Sequence, residues 1–109
     1  MRISELEGKA GLRALNDYKD REVEGVYISD MVSDIITSAK RNAILITLQT
    51  HKSLIAAANL VAAAMIVIVK GRVPSDDVVE LATRTGIGLF TSELDTWTFA
   101  KRLVQLGLE

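Results

Sequence analysis

Met65-Ile66-Val67-Ile68-Val69 is an unbroken apolar run, four of its five residues β-branched, and Lys70-Gly71-Arg72-Val73-Pro74 follows it directly. A strand with one wet face alternates apolar and polar side chains. A strand with no polar position must be covered on both faces, as the inner strands of a parallel sheet are. The run therefore predicts a central parallel strand, with Lys70 to Pro74 as the turn leaving its carboxyl end.

Reading upstream, Ala43 to Leu48 is a second apolar, β-branched strand, and Thr50 is placed to cap a helix over His51 to Ala62. That helix is apolar nearly all round, which implies burial on several sides or contact with another subunit. Val23 to Ile28 predicts another strand, closed by Ser29-Asp30, which can cap a helix from Met31 to Arg41 with Met31, Ile35, Ile36 and Ala39 on its inner face. Nearer the start, Ile3 to Gly11 reads as a short helix capped by Ser4, Leu12 to Leu15 as a short edge strand, and Asn16 to Arg21 as a loop. Downstream, Ser75 can cap a helix over Asp76 to Arg84, ended by Gly86. Gly88 to Thr91 is a further strand, and a helix from about Asp95 to Leu106 follows, with Phe99, Ala100, Leu103 and Val104 inward. Strands alternating with helices of about ten residues imply right-handed βαβ units. The expected architecture is one three-layer α/β domain over residues 1–109 with a mainly parallel sheet.

The composition, 49% hydrophobic and 25% charged in 109 residues, supports a single packed core. The chain has no Cys, which removes disulfides and thiolate chemistry and fits a cytoplasmic location. Its net charge of −1, with Lys and Arg scattered, offers no clustered basic surface, so nucleic acid is not an expected partner. The start has no apolar stretch behind its charge, and Leu54 to Val69 falls short of the about 20 residues that span a bilayer, so no membrane association is expected.

Ligands of open parallel sheets bind outside the carboxyl ends of the strands, near a switch in strand order. Ser29-Asp30, Thr47 to Ser53, Lys70-Gly71-Arg72 and Thr91-Ser92-Glu93 should emerge there. Thr47, Gln49, Thr50, His51 and Lys52 bring hydroxyl, amide, imidazole and ammonium groups to a helix start. Free N–H groups at such a start hold phosphate or carboxylate; a plain Thr cap beside solvated His51 and Lys52 is the other reading. Arg72 adds a group suited to a bidentate anion contact. Ser29, Asp30, Thr47, Gln49, Thr50, His51, Lys52 and Arg72 are thus the candidate ligand residues. Asp30 and Asp34 sit one helical turn apart, but a lone His supplies no metal cluster, and no metal or cofactor is expected. Phosphate-loop and dinucleotide fingerprints are absent, so no catalytic centre is expected. Trp97 and the small residues Ala56, Ala57, Ala62 and Ala63 allow either core packing or an interface between subunits.

Asp20-Arg21-Glu22-Val23-Glu24-Gly25, Tyr27-Ile28-Ser29-Asp30-Met31-Val32-Ser33-Asp34, Ile46-Thr47-Leu48-Gln49-Thr50-His51 and Lys70-Gly71-Arg72-Val73-Pro74 together resemble the DRTGG domain family over nearly the whole chain. In the name motif Glu22 replaces the Thr, and the Gly pair is reduced to Gly25. The resemblance implies a fold similar to the N-terminal domains of HPr kinase and of Mur ligases. It also implies a regulatory setting, since DRTGG domains accompany CBS domains and some phosphotransacetylases, while the kinase machinery of HPr kinase lies in its other domain. The resulting expectation is a non-catalytic module binding a small anionic ligand, with a nucleotide as one candidate. Its competitor is a homodimeric adaptor for a larger redox or metabolic enzyme, with phosphotransfer on His51 as a remote third.

Overall fold

The computed structural model describes residues 1–108. In chain order these form α1 (Ile3–Lys9), β1 (Arg13–Ala14), β2 (Gly25–Ile28), α2 (Val32–Ser38), β3 (Ala43–Thr47), α3 (Ser53–Leu60), β4 (Met65–Ile68), α4 (Asp76–Thr85), β5 (Gly88–Thr91) and α5 (Thr96–Gln105). The strands make one sheet in the order β1-β5-β4-β3-β2, parallel except for the antiparallel pairing of β1 with β5. As its composition requires, β4 lies in the middle, paired through Ile66 with Leu45 on one side and Leu89 on the other.

The side-chain alternation of β3, β4 and β5 builds two cores. Ile44, Ile46, Met65, Val67 and Phe90 pack on one face under α1 and α5, with Ile3, Leu6, Phe99 and Leu103. Leu45, Ile66, Ile68 and Leu89 pack on the other under α2, α3 and α4, with Ile35, Leu54, Ile55, Val78 and Ala82. Three layers result. The crossovers β2-α2-β3, β3-α3-β4 and β4-α4-β5 all use the same face, as successive right-handed units advancing in one direction must. The parallel strands therefore run in sequence order without reversal, and the expected switch point is not formed. The middle helix α3 packs against both α2 and α4, which accounts for its small, apolar composition without invoking a second subunit.

Several boundaries differ from those the sequence suggests. α3 starts at Ser53 and no side chain caps it, so Thr50 is not its cap. It stops at Leu60 because Ala62 takes a left-handed conformation, and Ala63 N–H returns to Ala58 C=O at 2.9 Å. α2 ends at Ser38, where Ala39 turns extended. Neither Ser29 nor Asp30 is its N-cap, a place taken by Met31. Met31 is 63% exposed and Ile36 also faces solvent, so the inner face of α2 rests on Ile35. On α5 Val104 points outward, and Trp97 is 71% exposed. Gly86 ends α4 in the left-handed conformation, as expected.

At α1 the capping group comes from a distant segment. Asp20 accepts bonds from Ser4 N–H at 3.0 Å and Ser4 Oγ at 2.7 Å, and from Arg2 Nε at 3.2 Å. The Ser4 hydroxyl and amide hold the Asp20 carboxyl down to about 2. The next residue, Arg21, donates to the Asn42 side chain and to Ala63 C=O, while Asn42 donates to Glu24. The Asp20-Arg21 pair thus fastens α1 and the amino ends of β2, β3 and β4. Among the described residues, no helix is long and apolar enough to cross a membrane.

Gly88 sits where Tyr18 and Phe90 pack with ring centroids 5.0 Å apart, and a Cβ on it would lie 2.9 Å from the Phe90 ring. Gly88→Ala is expected to lower unfolding free energy by about 1–3 kcal/mol through overpacking. Gly8→Ala, at an open helical position, should raise it by about 0.5–1 kcal/mol. Urea denaturation of both variants checks the pair.

Candidate functional site

The apolar strands give way to polar side chains at their carboxyl ends, and these interlock. Thr47, the last residue of β3, is buried; its Oγ donates to Asp30 Oδ1 at 3.0 Å and accepts from Gln49 N–H at 2.9 Å. Asp30 Oδ1 also takes Leu48 N–H at 2.7 Å, which ties the segment after β2 to the end of β3. Gln49 reaches both ways: its Nε2 donates to Asp30 C=O at 3.4 Å, and its Oε1 accepts from His51 N–H at 3.0 Å. From the turn after β4, Arg72 donates to Leu48 C=O at 3.2 Å, and Thr91 Oγ holds Arg72 C=O at 2.9 Å. All four parallel strands are joined at this edge.

The network surrounds an open trough of about 270 Å³ lined by Asp30, Leu48, Gln49, Thr50 and Arg72. Asp30 spends Oδ1 on the network, whereas no hydrogen bond engages Oδ2 among the described residues. The Arg72 guanidinium forms no ion pair among the described residues. A carboxylate acceptor and a cationic donor thus belong to residues that line the same space, an arrangement that fits a ligand carrying both a hydroxyl and an anionic group. A second hollow of about 210 Å³ adjoins it between the starts of α3 and α4, lined by Thr50, His51, Lys52, Ser75, Asp77 and Val78.

Gln49, Thr50 and Arg72 thus join Asp30 around the trough, Thr47 is buried and bonded to Asp30, and His51 and Lys52 share the second hollow with Thr50. Ser29 lines neither; its Oγ accepts from Met31 N–H at 3.2 Å. The expectation of free amides at a helix start needs correcting. The N–H groups of Leu48, Gln49, His51 and Ser53 bond to Asp30, Thr47, Gln49 and His51 respectively. Asp30 fills with its own carboxylate the place an anion would take on Leu48. The His51 ring accepts from Ser53 N–H through Nδ1 at 3.2 Å, with Ser53 Oγ 3.1 Å from the same nitrogen. Asp34 turns from Asp30 to the Tyr27 hydroxyl at 2.7 Å, and that bond, then Ser29, holds its carboxyl below the usual range. The described residues hold no group of three or more metal-ligating side chains.

The backbone of Leu48, Ser75 and Asp77 belong to these sites although the sequence reading passed them over. Leu48 acts through its peptide groups, which leave no sequence signal. Ser75 and Asp77 were legible as the start of α4, but their nearness to His51 required knowing that α3 and α4 begin side by side on one face.

Comparison with known proteins places these features in context. The model of the DRTGG domain matches residues 5–106. The fold is similar to the CBS and DRTGG domains of the regulatory region of Clostridium perfringens pyrophosphatase, a structure complexed with the activator diadenosine tetraphosphate. The TM-score is 0.74 at 17% identity, over 94% of this chain and 46% of that one, so this chain spans under half of its structural neighbour. No relative was found among curated protein sequences.

Removing the Asp30 carboxylate leaves Leu48 N–H and the Thr47 hydroxyl unpartnered. Asp30→Ala is expected to cost about 1–2 kcal/mol and to speed amide exchange at Leu48, with Asp30→Asn falling between it and the parent. Hydrogen exchange read at single residues is the measurement.

Proposed function

The chain belongs to the DRTGG domain family, and from that premise we propose that it is a non-catalytic regulatory module sensing a small anionic ligand at the carboxyl edge of its sheet. The carrying observation is Arg72, its guanidinium without an ion-pair partner among the described residues, lining one polar trough together with Asp30. Arg72 holds the anionic group, Asp30 Oδ2 accepts from a hydroxyl, and Thr50 and Gln49 supply the remaining polar wall. A nucleotide carries both kinds of group, and the structurally similar regulatory region was crystallised with a nucleotide activator. The network gives such a ligand a means of action. Contact with Asp30 or Arg72 bears directly on the bonds joining β2, β3, β4 and β5. His51 serves as a backbone cap beside the second hollow, and Lys52 contributes positive charge there.

A thermal-shift panel of nucleotides, sugar nucleotides, acyl phosphates and coenzyme A tests this reading. A ligand at about 100 times its Kd stabilises the native state by about 2.7 kcal/mol, which moves Tm by several degrees in a chain of this size. The shift should vanish in Arg72→Ala and shrink in the Thr50→Ala, His51→Ala double variant. A flat panel, or a shift that Arg72→Ala leaves intact, overturns the assignment.

The exposure of Trp97 favours a second reading, an accessory protein docking on a larger redox or metabolic enzyme. Trp97 and Val104 are two helical turns apart on the outer face of α5, and both are mostly in water. An exposed Trp is the residue type that most often anchors a protein interface. Under this reading Trp97→Ala leaves Tm unchanged but abolishes capture of the enzyme from host extract. Capture that survives the substitution removes the α5 face from consideration.

A further inference from the structure

The two edges of the sheet are treated differently by the sequence. On one side β5 is covered by the two-residue β1, whose Arg13 is exposed, a short and charged edge that discourages further pairing. On the other, β2 ends the sheet with Gly25-Val26-Tyr27-Ile28, a strand with no charge and no Pro. Ser29 N–H bonds Ile46 C=O at 3.2 Å, so by the period of two Tyr27 and Gly25 also turn their peptide groups toward β3. Val26 and Ile28 therefore present N–H and C=O to the open side.

The surfaces at the two ends of β2 complement one another. At its amino end a groove of about 310 Å³ has an apolar wall of Val26, Tyr27 and Ala43 and a basic rim of Lys40 and Arg41. Glu24 also borders the groove, with its carboxylate engaged by the Asn42 amide. At the carboxyl end Ile28 is 47% and Met31 63% exposed, with Asp30 between them in sequence. One end offers an apolar hollow with positive charge, the other an apolar projection with negative charge. A two-fold axis normal to the sheet brings each end against its opposite twice over, the self-complementarity that an isologous interface requires. It also sets α2 antiparallel to its counterpart, the favourable alignment of helix dipoles.

We propose that two copies of this chain associate through the outer edge of β2, antiparallel, to form one sheet continuous through both. Met31 of each copy enters the groove of the other, and Lys40 and Arg41 face Asp30 across the axis. This makes the expected self-association specific, shares only Asp30 with the ligand reading, and leaves Trp97 on a free face of each copy.

Sedimentation across a concentration series, with residue-resolved amide exchange on the parent chain, tests it. The expected result is a dimer whose Val26 and Ile28 amides, unbonded within one copy, are protected from exchange. Ile28→Lys puts a charge on the edge and should raise the dimer Kd about tenfold or more, as should Lys40→Glu with Arg41→Glu. Should a variant fail to fold, the exchange pattern of the parent decides. A monomer at every concentration overturns the proposal, as does a dimer whose Val26 and Ile28 amides exchange freely. A dimer lost only in Trp97→Ala places the interface on α5 and overturns it too. Repeating the ligand thermal shift on the Ile28→Lys variant keeps failure of the two readings apart, because Ile28 does not line the trough.

Discussion

The inner strands β3 and β4 carry apolar side chains on both faces, and every residue of both is buried. Neither face can be left to water, so helices must be supplied above and below. Burial of apolar surface is the dominant favourable contribution to folding, on the order of 25 cal/mol for each Å² removed from water. The remaining elements answer to that demand. α2, α3 and α4 are the crossovers that parallel pairing needs in any case, and they cover one face. The other falls to α1 and α5, which lie outside the crossovers at either end of the sheet-forming sequence.

A sheet so uniformly apolar concentrates polar chemistry at its two ends. The amino ends of the strands are closed by Asp20, Arg21 and Asn42, whose bonds run to α1, Glu24 and Ala63. That gives the Asp-Arg pair of the family motif a structural task and separates it from the trough. The carboxyl ends are joined by Asp30, Thr47, Gln49 and Arg72, a network that retains an acceptor and a cation toward solvent. One end is built for fastening, while the other combines fastening with a polar opening.

Strand identity and the parallel sheet were legible from apolar runs alone, because a strand without a polar position has one stable placement. The ends of helices were less so. Thr50, Ser4 and Ser29-Asp30 have the chemistry of caps, yet the capping of α1 comes from Asp20 and α3 begins without a side-chain cap. Cap residues are recognised by local spacing, and here the deciding partners are distant in sequence. The outward Val104, Met31 and Ile36 show the same limit. An apolar side chain at helical spacing is not committed to the core until the orientation of the helix is fixed.

What the sequence by itself determined is the set of strands, their burial on both faces, the α/β class, and which polar segments leave the carboxyl edge. Each follows from hydrophobic pattern and local backbone preference, which act over a few neighbouring residues. Only the tertiary structure decided that Asp30 takes the amide an anion would have used, that Arg72 faces the trough without an ion-pair partner among the described residues, and that Trp97 and the edge of β2 lie open. The first two depend on the relative placement of residues 18 and 24 positions apart in the chain, and pairings of that range are set by packing of the whole domain.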